Sequence, residues 1–410
     1  MNRNQLAALD CADSLAGFRA RFALPPGVIY LDGNSLGPLP RATAARLAEV
    51  VTGEWGAGLI RSWNDAGWID LPWRVGDAIG RLIGAEPGSV LVADSTSVNL
   101  FKLLGAALAL RPDRREILTE ADNFPTDCYV AAGLCELLGQ GHRLRRVAAE
   151  DLHGALGADT AVLMLTHVNY RSGAMHDMAA LTGAAQAAGA LALWDLCHSA
   201  GAVPVDLASD GADMAVGCGY KFLNGGPGAP AFLYVAPRLH GQVRFPLTGW
   251  LGHAEPFAFA PDFRPAAGIA AALVGTPPVL SLAALQVGVD LLLEAPMDAV
   301  REKSLRLGEI FAELVAQECA VHGLRPLTPV DPARRGSQIS FARPAAYPIM
   351  QALIARGVIG DVRAPDILRF GLTPLTLRYT DVWDAVAALR EVLDSGEWRA
   401  EKFQVRRKVT

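Results

Sequence analysis

The sequence predicts an α/β protein with a large domain, in which helices cover a mainly parallel sheet of seven strands, and a small C-terminal α+β domain. Short apolar segments alternate with helical segments through the first half of the chain, which is the pattern of a sheet buried on both faces. Long helical segments then follow, and the strands become fewer. The chain has 410 residues, of which 51% are apolar and 19% charged, so it is long enough for two domains with large cores.

The strands of the large domain are predicted from short, nearly continuous runs of apolar residues between turns. They lie at 90–93, 116–119, 144–147, 161–166, 190–195, 214–217 and 231–235. Amphipathic or apolar segments between and before them predict helices at 41–57, 73–85, 98–110, 125–138 and 178–188. Pro125 stands at the first turn of one of these helices and Gly189 directly follows another, which are positions that these residue types prefer.

The C-terminal part has a different pattern, with long helices first and a strand–helix–strand unit after them. The predicted elements are helices at 280–294 and 297–316, strands at 337–341 and 367–371, a helix at 347–356 between those strands, and a closing helix at 381–393. We therefore divide the chain into an N-terminal arm with a first helix (1–40), a large domain (41–275), and a linker helix with the small domain (276–410).

Composition and charge argue against several classes of protein. The net charge is −5, with acidic and basic residues mixed along the chain, so we expect no nucleic-acid partner. The most apolar stretch, 269–293, is interrupted by Pro277 and Pro278 and carries Asp290, so we expect no membrane span. The N-terminal residues lack the apolar segment of a signal peptide. The eight histidines show no metal-ligand spacing and the six cysteines form no CxxC pair, so we predict no metal site, buried thiols and a cytoplasmic location.

Two segments carry the sharpest chemical signal. In the first, an apolar strand ends at Asp195 and His198 follows; in the second, a strand leads into a glycine-rich loop that presents Tyr220 and Lys221. Because ligands bind beyond the carboxyl ends of parallel strands, both segments should face one crevice. A lysine and an acid so placed suit pyridoxal phosphate: the lysine forms a Schiff base with the aldehyde, and the acid keeps the pyridine nitrogen protonated. Taken singly, each segment is also consistent with a capped loop or a solvated lysine.

A cofactor with a phosphate needs a cradle, and the sequence offers one. Ser95 and Thr96 follow a predicted strand and begin a helix, whose N-terminal amides and hydroxyls can bind phosphate. An ordinary helix cap is the alternative. Phe124 follows the next strand and can stack on a pyridine ring, the alternative being an apolar contact at a helix start.

Seven motifs extend this pattern along the chain: YLDGNSLG (30–37), NFPTD (123–127), WDLCHSAG (194–201), GYKFLN (219–224), GWLGH (249–253), GTPP (275–278) and LRFGLTPL (368–375). Together they closely resemble the kynureninases, which are fold-type-I pyridoxal phosphate enzymes of the class V aminotransferase group. The pieces around Asp195 and Lys221 occur across the wider group. The pieces GNSLG and GWLGH point more narrowly to the kynureninases.

The resemblance implies a set of cofactor-binding residues: Ser95, Thr96, Phe124, Asp127, Thr166, Asp195, His198, Tyr220, Lys221, Trp250 and Thr276. Three of them are expected to be catalytic, with Lys221 carrying the cofactor, Asp195 pairing with the pyridine nitrogen and Tyr220 delivering protons. Trp250 and Thr276 are expected from the other subunit of a homodimer, so that the active sites are shared.

The implied substrate-binding residues are Ser35, Trp63, Thr276 and Arg369. Arg369 is expected to hold the α-carboxylate of the substrate by a bidentate pair, which suits a guanidinium better than an ammonium. Trp63 stands where animal relatives carry a histidine near the aryl ring. Together with Thr276, it suggests the bacterial type, which favours kynurenine over its 3-hydroxy form.

The resemblance thus implies hydrolytic cleavage of the Cβ–Cγ bond of L-kynurenine to anthranilate and L-alanine, either in tryptophan degradation or in a biosynthetic route to anthranilate. Two other activities of the class V group stay open at this point. A cysteine desulfurase needs a nucleophilic cysteine on a mobile loop, and no cysteine has an obvious position of that kind. An aminotransferase shares the cofactor contacts but needs a keto-acid acceptor.

Overall fold

The computed structural model describes residues 1–407, and within this range the chain forms thirteen strands. They are, in order, β1 (Ile29–Tyr30), β2 (Val90–Val92), β3 (Glu116–Glu120), β4 (Arg143–Val147), β5 (Thr160–Thr166), β6 (Leu191–Asp195), β7 (Met214–Cys218), β8 (Ala231–Val235), β9 (Arg325–Pro326), β10 (Gln338–Ala342), β11 (Val358–Ile359), β12 (Asp361–Arg363) and β13 (Ile367–Gly371).

Strands β2 to β8 form a central seven-stranded sheet in the order β2-β8-β7-β6-β5-β3-β4. The strands from β7 to β4 run parallel to their neighbours, whereas β8 is antiparallel to both β7 and β2. The predicted mainly parallel sheet of seven strands is therefore confirmed. The reversal of β8 leaves no trace in its apolar pattern, because a strand buried on both faces looks the same in either direction.

Thirteen α-helices accompany the strands in the described part of the chain. They are α1 (Arg3–Ala12), α2 (Ala42–Glu49), α3 (Ser62–Asp65), α4 (Leu71–Leu82), α5 (Thr96–Leu110), α6 (Pro125–Leu138), α7 (Leu152–Ala155), α8 (Met178–Ala187), α9 (Val279–Leu293), α10 (Met297–Glu318), α11 (Ala346–Ala355), α12 (Tyr379–Ser395) and α13 (Glu401–Gln404). The helix predicted at 41–57 is present as α2 and a π-helical segment, Val50–Gly58.

Helices cover both faces of the central sheet and bury its apolar side chains in two separate clusters. One cluster joins α4, α8 and α9 to one face, where Trp194 of β6 is almost fully buried. The other joins α5 and α6 to the opposite face, which carries Leu193 of the same strand. The alternation of neighbouring residues between the two clusters follows from the period of two along a strand.

The small domain is a four-stranded sheet, in the order β12-β13-β10-β9, packed with α10, α11 and α12. The N-terminal arm belongs to the same core, because Leu6 and Leu31 are buried in it and β1 pairs in parallel with β11. The expected linker helix, α9, packs instead against α4 in the core of the large domain. The limits of the three segments stay a prediction.

No single helix within residues 1–407 is both long and apolar enough to cross a membrane. Helices α9 and α10 reach that length and hydropathy only as a pair, and the chain bends by 86° between them.

The six cysteines differ in burial, although burial was predicted for all of them. Four cysteines are buried and Cys197 is partly buried, but Cys11 is exposed on α1, so the prediction of burial is wrong for Cys11.

Candidate active site

The carboxyl ends of the parallel strands place the predicted lysine in a crowded polar pocket. The Nζ atom of Lys221, in the loop after β7, lies 3.0 Å from Nε2 of His198. It also lies 6.0 Å from the ring centre of Phe124 and 5.9 Å from that of Tyr220. A primary amine is thus held among an imidazole, a phenol and an apolar ring, at the strand edge where α/β proteins bind ligands.

A pair of buried carboxyl groups lies at the same edge. Asp195 ends β6, opposite Thr166 at the end of β5, and its Oδ1 accepts a hydrogen bond of 2.7 Å from the backbone N–H of Cys197. Asp127, in the first turn of α6, is 2% exposed. Burial, together with the charge of Asp195 and a hydrogen bond to it, raises the pKa of Asp127 well above its usual value. Burial and the neighbouring negative charge therefore favour the protonated form of Asp127.

The imidazole of His198 is neutral for a related reason. Burial lowers its pKa well below the usual value, and the positive charges of Lys221 and Arg369 act in the same direction. A neutral imidazole can accept a hydrogen bond from the lysine ammonium through Nε2. His198 therefore orients the amine without adding a second positive charge.

The predicted phosphate cradle is the N-terminus of α5. Ser95 is the N-cap residue, and its Oγ accepts a hydrogen bond of 3.4 Å from the backbone N–H of Val98. Thr96 begins the helix, and its Oγ1 lies 3.7 Å from Sγ of Cys197, two residues after Asp195. The helix start therefore adjoins the loop that carries Asp195 and His198, and its remaining N–H groups suit an anion.

Three buried polar atoms in this pocket have no hydrogen-bond partner among the described residues. They are Oδ2 of Asp127, Oγ1 of Thr166 and Nδ1 of His198. Buried polar groups are normally paired, so three unpartnered atoms on residues at this edge of the sheet indicate a site for a polar ligand. A pyridine ring with oxygen substituents and a phosphate tail fits these groups, and the donor set suits pyridoxal phosphate.

The Gly33–Gly37 turn of the N-terminal arm packs directly on the lysine loop. The backbone N–H of Gly37 donates a hydrogen bond of 2.8 Å to the carbonyl oxygen of Tyr220. A Cβ atom at Gly37 would lie 2.2 Å from the carbonyl oxygen of Lys221, so only glycine permits this approach. The arm therefore brings Ser35 toward the pocket.

Arg369, on β13, is fully buried and already has several partners. Its Nε and Nη2 donate hydrogen bonds of 2.8 Å and 2.5 Å to the two carboxylate oxygens of Asp361. Its Nη1 donates to the carbonyl oxygen of Tyr170 at 2.7 Å, and its Nη2 also donates to Oγ of Ser35 at 2.8 Å. The bidentate pair that the sequence predicts for a substrate is thus made with Asp361. Of the five N–H groups of the guanidinium, one on Nη1 is left without a partner among the described residues.

Three predicted residues do not join this pocket within one chain. Trp250 is 39% exposed and stacks on Phe259, with the ring centres 6.2 Å apart. Thr276 is exposed. Trp63 makes an edge-to-face contact with Trp68, with the ring centres 5.8 Å apart. The exposure of Trp250 and Thr276 leaves both free to contact a second subunit, as expected for them, whereas Trp63 is half-buried.

The structure also adds residues that the sequence did not suggest. Asp361 and Arg363 lie on β12, and Asp361 is the register partner of Arg369. Gln338 of β10 donates a hydrogen bond of 3.2 Å to the carbonyl oxygen of Tyr170. Asp361 and Arg363 are two residues apart and so share one face of β12, which could have indicated a charged face. A strand of three residues is too short to show this period in the sequence.

Curated kynureninases match the chain over its full length. The kynureninase of Pseudomonas fluorescens is 55% identical over 413 residues, which cover 100% of this chain and 99% of that protein. The kynureninase of Burkholderia pseudomallei is 54% identical with the same coverage. A family model described as the kynureninase C-terminal domain matches residues 300–389.

Solved structures with the same fold are much more distant in sequence. A cysteine desulfurase from Thermococcus onnurineus NA1 has a TM-score of 0.77 at 17% identity, with 92% of this chain and 98% of that chain covered. A mutant of C-DES, with glycine covalently linked to its PLP cofactor, has a TM-score of 0.79 at 18% identity, with 91% and 99% covered. These likenesses concern the fold alone, whereas the full-length identities decide the family. The chain belongs to the kynureninase family.

Proposed function

We propose that the chain is a pyridoxal phosphate-dependent hydrolase that cleaves the Cβ–Cγ bond of L-kynurenine with water, giving anthranilate and L-alanine. One observation carries the proposal: the amine of Lys221 lies beside a neutral His198, at the strand edge that also holds Asp195, in a chain 55% identical to a kynureninase over its full length. The fold neighbours include desulfurases, but the one exposed cysteine of the described residues, Cys11, lies on α1, in the N-terminal arm.

Pyridoxal phosphate, when bound, condenses with amines and withdraws electrons from the carbon next to them. Asp195 would hold a proton on the pyridine nitrogen, with Thr166 and Asp127 beside it. Ser95 and Thr96 would bind the phosphate at the start of α5. Phe124 would cover one face of the ring, since its centre lies 6.0 Å from Nζ of Lys221.

Lys221 has two tasks in this scheme. It would carry the cofactor, and its amine, when free, would be the base that removes the Cα proton. His198 accepts a hydrogen bond from Nζ across 3.0 Å, which keeps that amine directed into the pocket. Proton transfer from a positioned group contributes about 10²–10⁴-fold to a rate.

Tyr220 is the candidate donor of the proton that Cβ of the substrate requires after cleavage. Burial raises the pKa of Tyr220 above its usual value, and the negative charges near it act in the same direction. The phenol therefore stays protonated at neutral pH and can act as an acid. Its position next to Lys221 in the chain places it at the same pocket.

Arg369 would bind the α-carboxylate of the substrate through the N–H of Nη1 that has no partner among the described residues, with Ser35 beside it. For the aryl end, Trp63 and Thr276 favour kynurenine over 3-hydroxykynurenine. We place the protein in the cytoplasm, in tryptophan degradation or in a route that makes anthranilate.

The direct test is incubation of the purified protein, loaded with pyridoxal phosphate, with L-kynurenine and no keto acid. We expect equal amounts of anthranilate, followed by its fluorescence, and of alanine, with slower turnover of 3-hydroxykynurenine in a parallel assay. Consumption of kynurenine only when a keto acid is added, without release of anthranilate, would indicate an aminotransferase. Sulfur release from cysteine without cleavage of kynurenine would indicate a desulfurase.

The proposed assembly is a homodimer in which Trp250 and Thr276 complete the site of the other subunit. We expect Lys221→Ala and Trp250→Ala to be nearly inactive alone and to recover activity when mixed and allowed to exchange subunits. A mixed dimer has one intact site, so random exchange should restore about a quarter of wild-type activity. No recovery, with exchange shown by differently tagged chains, would mean that Trp250 acts within its own subunit.

A further inference from the structure

A cluster of charged residues surrounds Arg369 beyond the contacts that the proposed function uses. We call it the anchor cluster, and it consists of Asp32, Ser35, Asp361, Arg363 and Arg369. Its members come from the arm after β1 and from the β12–β13 hairpin. Arg363 lies next to Asp361, with Nη2 2.9 Å from Oδ2, and Ser35 donates a hydrogen bond of 2.8 Å to the same oxygen.

The contacts of Asp361 fix the orientation of Arg369. A planar guanidinium that is held by Nε and Nη2 on one carboxylate can turn neither about its own axis nor away from β12. The direction of its opposite edge is then fixed as well: Nη2 donates to Oγ of Ser35 there, Nη1 donates to the carbonyl oxygen of Tyr170, and one N–H of Nη1 stays available to a ligand. Both guanidinium and carboxylate are buried, so the pair is held without competition from water.

This pairing has an electrostatic consequence. Burial alone would raise the pKa of Asp361, but Arg369 and Arg363 hold it below its usual value, so Asp361 is ionised. Its charge cancels that of one guanidinium, and a neutral pair attracts a carboxylate weakly. The second guanidinium, Arg363, restores one positive charge, which matches the single charge of an α-carboxylate.

We propose that Asp361 is the positioning residue for Arg369, that Arg363 supplies the net positive charge of the carboxylate site, and that Asp32 makes this charge depend on pH. The inference rests on the proposed function, because the ligand is the α-carboxylate of kynurenine. It goes beyond the binding role of Arg369, since Asp361 acts through Arg369 and not on the substrate.

Asp32 supplies the pH dependence through its position beside the pair. Its Oδ1 atom is buried and unpartnered within residues 1–407, and the groups that face it are Tyr30, Ser35, Asp361, Arg363 and Arg369. Burial and the charge of Asp361 raise the pKa of Asp32 to about 7. Below that pH Asp32 is neutral and the cluster carries one positive charge; above it Asp32 is ionised and the cluster is neutral.

The test compares kynurenine with its decarboxylated analogue, which has the same amine and aryl ketone but no carboxylate. Binding of either amine to the holoenzyme is followed by the change in the visible spectrum of the cofactor. For Asp361→Asn we expect the Kd of kynurenine to rise at least about tenfold, because a misplaced guanidinium loses its bidentate geometry, while the Kd of the analogue changes less than about twofold. Asp361→Glu should recover part of the loss, and Asp366→Asn, on the same hairpin, should change neither value.

Whether Asp361→Asn weakens or tightens kynurenine binding distinguishes a positioning role of Asp361 from a role in cancelling charge alone. If Asp361 only cancelled charge, Asp361→Asn would make the cluster more positive and tighten kynurenine binding. Tighter binding, or equal weakening of both ligands, would overturn the proposal. Arg363→Gln should weaken kynurenine binding selectively, and an unchanged Kd would likewise contradict it.

The pH dependence of the Kd of kynurenine tests the role of Asp32, because a purely structural role of this residue would not change that dependence. In the wild type, the Kd of kynurenine should rise relative to that of the analogue as the pH is raised through about 7, because Asp32 becomes ionised. In Asp32→Asn this relative rise should disappear, and its persistence would exclude Asp32 as the titrating group. Wild-type protein that neither binds nor cleaves kynurenine would refute the proposed function itself, which is a different outcome from a failure of these variants.

Discussion

Replacing Lys221 with alanine should abolish both turnover and the visible absorbance that marks covalently bound pyridoxal phosphate. The reason is chemical: Nζ of Lys221 is the amine placed among His198, Tyr220 and Phe124. In the proposed function this amine both carries the cofactor and moves the Cα proton. We expect kcat to fall by about 10³-fold or more, since a positioned base alone contributes about 10²–10⁴-fold. Steady-state release of anthranilate and the absorption spectrum of the reconstituted protein measure the two effects.

Lys402 provides a matched control, because it is an exposed lysine in α13, and Lys402→Ala should keep wild-type turnover and spectrum. Borohydride reduction followed by peptide mapping should label Lys221 alone. Labelling of another lysine, or wild-type turnover by Lys221→Ala, would refute the assignment. Reduced cofactor affinity with normal turnover at saturation would equally contradict a catalytic role.

The sequence was sufficient for the architecture because the large domain repeats one simple pattern. The strands ending at Thr166 and Asp195 are continuous apolar runs, and a run of this kind predicts its own burial on both faces. The direction of β8 could not be predicted in this way, since burial on both faces does not depend on direction. The exposure of Cys11 could not be predicted from its residue type either. Helix α1 buries Leu6 on one face and leaves Cys11 on a face that is exposed to solvent.

Some residues of the candidate site could be predicted from local sequence, and others could not. Lys221 and Asp195 were predictable because each follows its own strand, so their common edge is a consequence of local sequence and parallel topology. The partners of Arg369 were not predictable, because Ser35 and Asp361 come from segments more than 300 residues apart in the chain. Their meeting depends on the pairing of β1 with β11, and strands of two residues leave no periodic signal.

The two buried carboxyl groups allow a sharper test of the cofactor's electronic partner. We expect Asp195→Asn to lower kcat by about 10²–10³-fold while the cofactor stays attached, because an amide cannot supply the charge that keeps the pyridine nitrogen protonated. Asp127→Asn should cost less than about tenfold, because burial and the charge of Asp195 favour the protonated form of Asp127, and an amide imitates the hydrogen-bond donor of that form.

The double variant decides whether the two groups act as a pair. In Asp195→Asn the negative charge that helps to raise the pKa of Asp127 is gone, so Asp127 ionises more readily and can partly replace the missing carboxylate. Removing both carboxylates should therefore lower kcat further than the two single effects multiplied together. Strict multiplicativity would mean that the groups are independent. A loss in Asp127→Asn as large as that in Asp195→Asn would mean that Asp127 works as an anion, against the direction in which its surroundings move its pKa.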